Sequence, residues 1–336
     1  MILWTDVADP QELTEVARRA AQDREQRNEF NLAQFLPNAH TLAQSVTLEV
    51  GDNGFAEAAE YRSYDAETPI GGRGPGGRRV TFDLPPLGQK NRVSEYNQLR
   101  LLGDGGEAAM RTAIGQAAVL RGQAVADRIE LERGRVLVSG KAAINENGFI
   151  ADSDFGRDEE LTVTAGTNWG EDGADPVQDI LDWTEAYVDR NGEPPVYIVA
   201  STKAITALSK YNGFLPKDSV RLRASLEEIN ALLDADGLPQ IVKYDRRVRV
   251  DRVSQRVIPA ETLLFLPETD AVLGKTYWGT TLESLEADYS IQVEDRPGIV
   301  AGAYKTNDPI AAWVKASAIG MPVLANANLA MAATVL

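Results

Sequence analysis

The sequence predicts an α+β protein organised around one very long helix. The stretch 104–136 contains no proline and is rich in Ala, Leu, Glu, Arg and Gln, which favour helix. Helix and strand patterns alternate from 176 to 285, and the C-terminal run 289–336 reads as strands. Because 336 residues are enough for two domains, we expect a long-helix region built from both chain ends around a central mixed domain.

The long helix is predicted to span 103–136. Asp104 is the expected N-cap, because a carboxylate is favoured at the positive end of the helix dipole. About 30 residues correspond to roughly 45 Å, so an elongated layer should lie along this helix. Glu107, Glu130 and Arg133 fall on the side opposite a wide apolar face. The residues of that face are Ala113, Ala117, Leu120, Ala124 and Leu131, with Ile114, Ala118, Val125 and Ile129.

Two elements are expected before the long helix. Residues 9–29 show an amphipathic pattern, with Asp9 as N-cap, Pro10 at the first helical position and Glu12 at the capping-box position. The apolar edge of this helix is thin, so we expect it to pack on a distant part of the chain. Residues 41–50 carry apolar side chains at strand spacing and predict a β-strand.

Residues 61–95 differ in composition from the rest of the chain. Four prolines and six glycines predict a long loop, and a loop of this length within a compact domain is usually functional or ordered by a partner. Six basic and four acidic residues give this segment a charge of +2, whereas the whole chain carries −16. Residues 80–84 are expected to pair with a segment near Tyr61 as a long hairpin.

After the long helix, the sequence predicts an acidic region and then alternating helices and strands. The acidic region, 146–175, has nine Asp or Glu and one Arg. Helices are expected from Pro176 to a stop at Gly192, at 202–211, and after Ser225, where Glu228 completes a capping box. Strands are expected at 136–144, 161–165, 196–200, 241–253, 262–267, 271–274, 289–304 and 310–336.

Composition argues against several classes of protein. A net charge of −16 is unfavourable for a sequence-reading nucleic-acid binder, which needs a basic patch. The chain has no cysteine, which excludes disulfides and thiolate metal sites. The initial residues MILWTDVADPQEL lack the pattern of a secretory signal. Pro322, Asn326 and Asn328 interrupt the apolar C-terminal run, so we expect a buried strand pair there and not a membrane segment.

The sequence contains no GxSxG elbow, HExxH motif or Walker A loop. His40 is the single histidine and has no cysteine or second histidine with which to share a metal. Gly72, Gly74 and Gly77 match GxGxxG only formally, because Pro75 interrupts the motif and no helix begins there.

An acidic run of four carboxylates could be taken for a calcium loop, but its glycine stands at the fifth position and not the sixth, so a solvated loop is expected. These residues are Asp152, Asp154, Asp158 and Glu160. We predict no catalytic, cofactor-binding or metal site.

Several stretches occur in a fixed order and carry a family resemblance. They are RSYDAETPIGGRGPGGRRVTF and VLVSGKAAI, TAGTNWGEDGADPVQDILDWTEAYV and PPVYIVASTKAITAL, LPQIVKYD and TLLFLPETDAVLGKTYWGTT, and finally DPIAAWVKASAIGMPVLANANLAMAATVL. In this order they resemble the major capsid proteins of tailed phages, in particular the lambda-like major capsid protein E family. The similarity covers most of residues 40–336 and depends on collinearity more than on one diagnostic motif.

The resemblance implies the Hong-Kong-97-type major capsid fold, an α+β fold with an N-arm, an E-loop, a P-domain with a long spine helix, and an A-domain. The implied regions are the N-terminal arm at 1–50, the E-loop region at 51–102, the P-domain at 103–175 with its spine helix at 103–136, the A-domain at 176–285, and C-terminal strands at 286–336 that return to the P-domain and A-domain.

The resemblance also implies a structural protein without enzymatic activity or cofactor, which self-assembles into the hexamers and pentamers of an icosahedral head shell around double-stranded phage DNA. The implied partners are further copies of the chain, a separate scaffolding protein, a portal and a decoration protein. DNA would lie on the inner face without sequence-specific binding, and no membrane is involved. The implied location is the virion, after assembly in the host cytoplasm.

Basic residues of the loop are the expected inter-subunit contacts. The loop has few apolar groups, so we expect it to be mobile in a free subunit and to lie across a neighbour in the shell. Acidic groups within 146–175 of that neighbour are candidate partners, and no covalent cross-link is inferred for the single loop lysine. The contact residues are Arg73, Arg78, Arg79, Lys90 and Arg92.

Two alternatives remain at the level of sequence. One is an encapsulin-like compartment shell protein that shares the fold. The other is an α+β enzyme with a small-molecule site in 176–285. Electron microscopy of the purified protein separates a shell from an enzyme, and neighbouring terminase and portal genes would separate a phage from a compartment.

Overall fold

The computed structural model describes residues 3–5, 7–27, 30–50, 78–214, 223–269, 273–308 and 310–336. Helices and strands are mixed along the chain, which confirms the predicted α+β class. The helices are α1 (Pro10–Gln26), α2 (Glu95–Ser139), α3 (Pro176–Asn191), α4 (Thr202–Leu208), α5 (Leu226–Ala235) and α6 (Leu282–Leu285).

The strands run along the whole described chain, interleaved with the helices. They are β1 (Asn38–His40), β2 (Ser45–Val50), β3 (Arg78–Asp83), β4 (Pro86–Val93), β5 (Lys141–Glu146), β6 (Phe149–Asp154), β7 (Thr162–Thr164), β8 (Tyr197–Ala200), β9 (Gln240–Lys243), β10 (Arg247–Val250), β11 (Val253–Arg256), β12 (Thr262–Leu266), β13 (Gly274–Gly279), β14 (Val300–Asn307), β15 (Ile310–Leu324) and β16 (Met331–Thr334).

The long helix α2 is longer than predicted and is interrupted. Ser94 caps its start by accepting a hydrogen bond from the Asn97 amide at 3.4 Å, so Asp104 lies inside the helix and is not its N-cap. The backbone leaves helical geometry at Gly106, where φ is +63° and favours glycine. This break lies close to position 103, where the sequence predicted the helix to begin, although α2 itself starts at Glu95.

The end of α2 also differs from the prediction. Residues 136–139 complete the helix, where a strand was expected, and Gly140 ends it in the left-handed conformation at φ +67°. The Gly140 amide donates to the Val136 carbonyl at 2.8 Å, which satisfies one of the last carbonyls. The strand β5 therefore begins only at Lys141.

The first sheet has five strands and packs against α1 and α2. β15 pairs antiparallel with β14 and β13, one after the other, along one edge and with β4 along its other edge, and β1 adds parallel to β13. Buried residues of α2 contact small side chains of the sheet. Examples are Ile114, Ala118, Val125 and Ile129 on the helix, with Ala301, Val314 and Ala316 on the strands. Ala117, a residue of the predicted apolar face, is also buried, whereas Leu120 is 53% exposed.

The second sheet also has five strands, in the order β7-β16-β12-β8-β9. One face packs against α3 and α5, with Ile198 and Phe265 buried beside Ile180, Trp183 and Ile229. The other face contributes Val199, Leu264 and Leu266 to a core shared with the end of α2 and with strands of the first sheet. The C-terminal run forms two buried strands, as expected, but β15 lies in the first sheet and β16 in the second. The two strands therefore do not pair with each other and instead connect the two sheets.

The helix ends of the central region follow the predicted signals. Asp175 accepts a hydrogen bond from the Gln178 amide, and Gly192 ends α3 at φ +83°. Ser225 and Glu228 form the predicted capping box of α5. The strand expected to begin at Tyr289 starts at Val300 instead, because short 3-10 turns occupy 287–289 and 293–295.

The region predicted as a loop contains two strands within its described part. β3 pairs antiparallel with β2, and the segment near Tyr61, the expected partner of residues 80–84, lies outside the described residues. β4 runs beside β15 in the first sheet, from Pro86 opposite Ile319 to Val93 opposite Ala312. The sequence missed this pairing because β4 carries Gly88 and five exposed polar or glycine positions in a row, without strand-like alternation.

The N-terminal helix α1 packs on a distant part of the chain, as predicted. Asp9 caps it through the Gln11 amide at 2.9 Å. Ala17 is fully buried against α2 at Gly122, where an added Cβ would lie 2.2 Å from the Ala17 carbonyl oxygen. Thr14 Oγ1 donates to the Ala301 carbonyl of β14 at 3.1 Å. The helix therefore bridges α2 and the first sheet.

Candidate functional site

The structure separates the basic residues that the sequence analysis selected as contact residues. Arg73 lies outside the described residues. Arg78 is the first residue of β3, and its backbone lies opposite Val50 of β2. Arg79 is exposed on the β2–β3 ribbon. Lys90 and Arg92 are exposed on β4, two positions apart and thus on one face of the first sheet.

The β4 face contains aromatic and charged groups beside Lys90. The Lys90 ammonium lies 4.7 Å from the ring centroid of Trp313, a cation–π arrangement. Trp313 stacks on Tyr304 with the ring centroids 6.4 Å apart. Two residues after Trp313 on β15, Lys315 forms an ion pair with Glu283 of α6. Burial alone would raise the pKa of Glu283, but hydrogen bonds from Lys315 and Ser317 hold this pKa below its usual range.

Two of the four carboxylates considered as a calcium loop are engaged in other contacts. Asp154 accepts from the Gly156 amide at 2.8 Å and forms an ion pair with Lys141 at 2.7 Å. Asp158 pairs with Arg190 of α3 at 3.2 Å. Among the described residues, no group of three or more His, Asp or Glu side chains is arranged to hold a metal ion.

Glu130 and Arg133 of α2, which the sequence predicted to lie opposite the apolar face, are buried in the structure and belong to a set of charged residues. Arg133 is 1% exposed. Its Nε donates to Thr276 Oγ1 at 2.9 Å and its Nη2 to Asn38 Oδ1 at 2.7 Å. Its Nη1 forms ion pairs with Glu25 and, at 3.3 Å, with Glu130. The prediction for Arg133 was therefore wrong.

Glu130 is the second member of this set and is also 1% exposed. Its carboxylate accepts from the Leu32 amide at 3.2 Å and from the Tyr244 hydroxyl at 2.7 Å. The Arg246 guanidinium lies 3.4 Å away. Burial and the neighbouring Glu130 charge hold the pKa of Tyr244 well above its usual range, so this hydroxyl stays protonated and donates.

Asp127 completes the set one turn earlier on α2. It forms a bidentate pair with Arg24 at 2.9 and 3.0 Å and accepts from Arg246 at 3.1 Å. We call Glu25, Asp127, Glu130, Arg133 and Arg246 the charge junction. It joins α1, α2, the 31–38 connector, β13 and the segment after β9. Each charge faces an opposite charge, so the junction is suited to holding elements together.

The sequence offers little signal for the charge junction. Glu130 and Arg133 stand three residues apart, as solvated helix pairs commonly do. Their partners lie about 100 residues away along the chain, at Glu25, Asn38 and Tyr244. The one local hint is that Ile129 and Leu131 flank Glu130, so the predicted apolar face is wide enough to surround it.

A second group of charges lies at the end of α2, near the β5–β6 ribbon. Arg128 contacts both Glu132 and Glu146 at 2.8 Å, and Arg135 contacts Glu132 at 3.0 Å. Burial raises the pKa of Glu132 above its usual range, against the opposing effect of Arg128 and Arg135. These contacts attach the ribbon to the helix.

The comparisons with known proteins agree with this fold. The family model for phage major capsid protein E matches residues 11–335. A comparison with curated protein sequences gives no significant match. In the described ranges, no helix has an apolar stretch long enough to cross a membrane.

Three solved structures are similar over nearly their full length. A protein of E. coli assigned as a prophage capsid protein has a TM-score of 0.66 at 15% identity, covering 98% of this chain and 99% of its own. A phage-related protein of Bordetella bronchiseptica has a TM-score of 0.56 at 14% identity, with coverage of 95% and 96%. A virus-like particle from Pyrococcus furiosus has a TM-score of 0.51 at 12% identity, with coverage of 96% and 99%.

These likenesses establish the Hong-Kong-97-type fold that the family resemblance implied. The family match establishes the role: a structural protein of the virion that assembles with copies of itself into a shell, and not an enzyme with a site in 176–285. By its match over residues 11–335, the chain belongs to the phage major capsid protein E family.

Proposed function

We propose that copies of this chain form the hexamers and pentamers of an icosahedral head shell that encloses double-stranded DNA. The family match over residues 11–335 is the observation that carries this proposal. The shape of the chain supports it. The β2–β3 and β10–β11 ribbons and β4 present exposed polar strands at the surface of the described structure, as a tiling protein requires.

The proposed regions are the arm at 1–50, the E-loop region at 51–102, the P-domain at 103–175, the A-domain at 176–285 and the returning strands at 286–336. Two features support this division. The second sheet packs against α3 and α5 in a core of its own, and β15 and β16 enter the first and second sheets respectively. The charge junction would then couple the spine helix to the arm and to the A-domain.

The proposed partners beyond the chain itself are a separate scaffolding protein, a portal and a decoration protein, with assembly in the host cytoplasm. DNA would lie against the inner face without sequence-specific contacts. The net charge of −16 supports this last point, because an acidic wall does not adhere to the phosphate backbone.

The proposed inter-subunit contacts are the basic residues selected from the sequence. Arg79, Lys90 and Arg92 are exposed, and the last two share a face of β4. If these residues contact a neighbour, K90E/R92E will lower the yield of shells, whereas K203E/K210E, with the same change of net charge on and just after α4, will not. Equal yields from both variants would remove Lys90 and Arg92 from the contact set. Trypsin cleavage after Arg73, Arg78 or Arg79 should likewise be slower in shells than in free subunits.

The proposal is tested by expressing the chain alone and with its scaffolding protein, followed by sedimentation and electron microscopy. Hollow icosahedral particles, or capsomers of five and six copies, are expected. A monomer under every condition would contradict the proposal. Particles that protect DNA from nuclease will distinguish a phage head from a compartment that encloses protein.

A further inference from the structure

The β10–β11 hairpin is basic in an acidic chain. Residues 243–256 contain six Lys or Arg and two Asp, a charge of +4, which leaves −20 for the remainder of the chain. Two of the arginines have internal roles: Arg246 belongs to the charge junction, and Arg256 forms an ion pair with Asp245. The other four basic side chains are exposed, and they are Lys243, Arg247, Arg249 and Arg252.

The hairpin that carries these exposed charges is anchored to the rest of the fold by a buried side chain and by hydrogen bonds. Val248 is buried in the core shared by the two sheets, and Asp245 accepts hydrogen bonds from Thr202 at the start of α4. Arg249 Nε donates to the Arg252 carbonyl at 3.3 Å, across the turn. Within the described ranges, Arg247, Arg249 and Arg252 form no ion pair. Their positive charge is therefore available to an external anionic group.

The tip of the hairpin adds an apolar group to this charged surface. The turn residues Asp251 and Arg252 both have positive φ, +49° and +67°, and fix a tight two-residue connection. Val253, directly after the turn, is 66% exposed. An apolar side chain among arginines suits a protein surface better than a phosphate backbone, which offers no apolar contact.

The complementary surface lies on α3. Ile180, Trp183 and Tyr187 are buried on one side of this helix. Asp182, Glu185 and Asp189 are exposed along the opposite side, at spacings of three and four residues. Asp182 accepts a hydrogen bond from Gln178 at 2.7 Å, and no ion pair involving these three carboxylates occurs among the described residues. Leu181, 40% exposed, borders the acidic stripe.

The two surfaces belong to opposite faces of the second sheet. Val248 and Tyr244 lie in the core with Val199 and Leu264, whereas α3 packs on the face that carries Ile198 and Phe265. One copy therefore cannot join its own hairpin to its own α3 stripe. A second copy offers the missing surface, and a contact between two different patches repeats head to tail until a ring closes.

We infer that the basic hairpin of one copy docks on the acidic outer face of α3 of a neighbouring copy. Arg247, Arg249 and Arg252 would pair with Asp182, Glu185 and Asp189, and Val253 would contact the Leu181 region. This inference rests on the proposed ring-shaped capsomers. Subunits that each carry −16 repel one another, so a local attraction between opposite patches provides both the adhesion and the orientation.

The test uses charge reversal on each patch and then on both. R247E/R249E and D182R/E185R shift the net charge in opposite directions, by −4 and +4. We expect each variant to reduce the yield of capsomers and shells by about tenfold or more, because like charges then face each other. The combined variant R247E/R249E/D182R/E185R restores the wild-type net charge and the attraction, and it should recover assembly. K203E/K210E is the control for a shift of −4 elsewhere.

The outcomes separate this inference from the proposed function. Far-UV circular dichroism and urea denaturation of the free subunits establish that each variant folds, and the α3 variant gives an independent result if the hairpin variant does not fold. Normal assembly of the folded single-patch variants, or no recovery in the combined variant, would overturn the inference. Normal shells of R247E/R249E with less nuclease-protected DNA would also overturn it and assign the hairpin to DNA. If the wild-type chain forms no capsomers, the proposed function itself fails.

Discussion

Arg133 shows how a single buried charge stabilises this chain. Its guanidinium contacts Glu25, Glu130, Asn38 and Thr276, which belong to α1, α2, β1 and β13 respectively. A buried pair adds little net stability compared with an apolar replacement of the whole pair, but removal of one partner leaves an unpaired charge. The cost of losing Arg133 should therefore come mainly from the carboxylates of Glu25 and Glu130 that are left without it.

We predict that Arg133→Met lowers the free energy of unfolding by about 3–5 kcal/mol, because Glu130 and Glu25 lose a buried partner. Urea denaturation of unassembled subunits measures this loss. Arg135→Met is the matched control two residues away, where the side chain is 40% exposed, and its expected cost is about 1 kcal/mol or less. Equal costs for the two variants would show that the charge junction does not stabilise the fold.

Asp245 is the residue whose stabilising effect depends on pH. Burial alone would raise its pKa, but hydrogen bonds from Thr202 and the pairing with Arg256 outweigh burial and hold its pKa below the usual range. A carboxyl group with a lowered pKa in the folded state stabilises that state above its ordinary pKa of about 4. This contribution is lost as the pH falls through the folded pKa.

We therefore expect Asp245→Asn to be less stable than the wild type at neutral pH, by about 1 kcal/mol, and this difference to shrink below about pH 4. Thermal melts of both proteins between about pH 3 and about pH 7 give the difference in their melting temperatures at each pH. Asp251→Asn, in the exposed turn of the same hairpin, is the control, since asparagine accepts the positive φ there. A difference that stays constant with pH would contradict the role given to Asp245.

At the scale of elements, the close crossing of α1 and α2 attaches the N-terminal helix to the rest of the fold. At Gly122 an added Cβ would lie 2.2 Å from the Ala17 carbonyl oxygen and 2.9 Å from its carbon, both backbone atoms. A second close approach brings Gly134 of α2 against Val257, with 2.4 Å from an added Cβ to the carbonyl oxygen. Both glycines allow the backbone of another element to lie directly on the helix.

We predict that Gly122→Ala and Gly115→Ala change stability in opposite directions. At 122 the methyl group forces α1 away from α2 and should cost about 1–3 kcal/mol. At 115, among the described residues outside the adjoining helical backbone, no atom lies within 4 Å of an added Cβ, so alanine should gain up to about 1 kcal/mol through helix propensity. Urea denaturation of the two free subunits makes the comparison, and stabilisation by both substitutions would show that α1 does not pack as described.

At the scale of the whole molecule, one core connects the two sheets. It contains Leu131 and Leu137 of α2, Val323 of the first sheet, and Val199 and Leu264 of the second. Because each sheet loses part of this core when the other unfolds, the free subunit should unfold in a single transition. The shared core and the charge junction together join the two sheets within one subunit.

This cooperativity is tested by monitoring thermal unfolding with circular dichroism, tryptophan fluorescence and calorimetry. Trp278 lies in the core around α2, whereas Trp169 and Trp183 lie in the core of the second sheet, so fluorescence samples both regions. Coincident midpoints, with the calorimetric and van't Hoff enthalpies equal, are expected. Two separate midpoints would show that the regions unfold independently, as weakly coupled domains do.

Much of the architecture could be predicted from local sequence, because the signals are satisfied within a few residues. Asp175 and Gly192 bound α3 through contacts to their own helix, and Ser225 and Glu228 do the same for α5. The α+β class and the family resemblance also followed, since helical periodicity and the order of stretches are properties of the chain itself. Gly106 illustrates the limit. A glycine permits a break in α2, but it does not reveal that the chain is helical both before and after the break.

Tertiary structure alone decided the features that depend on distant partners. Glu130 and Arg133 have the side chains of a solvated helix face, and partners remote in sequence, among them Glu25, Arg246 and Tyr244, make their burial favourable. β4 lacks the alternation of a strand, yet β15 supplies the hydrogen bonds that make it one. In both cases the free energy of a residue is set by groups that are remote in sequence, since burying a charge or a backbone amide is favourable only when its partner is in place.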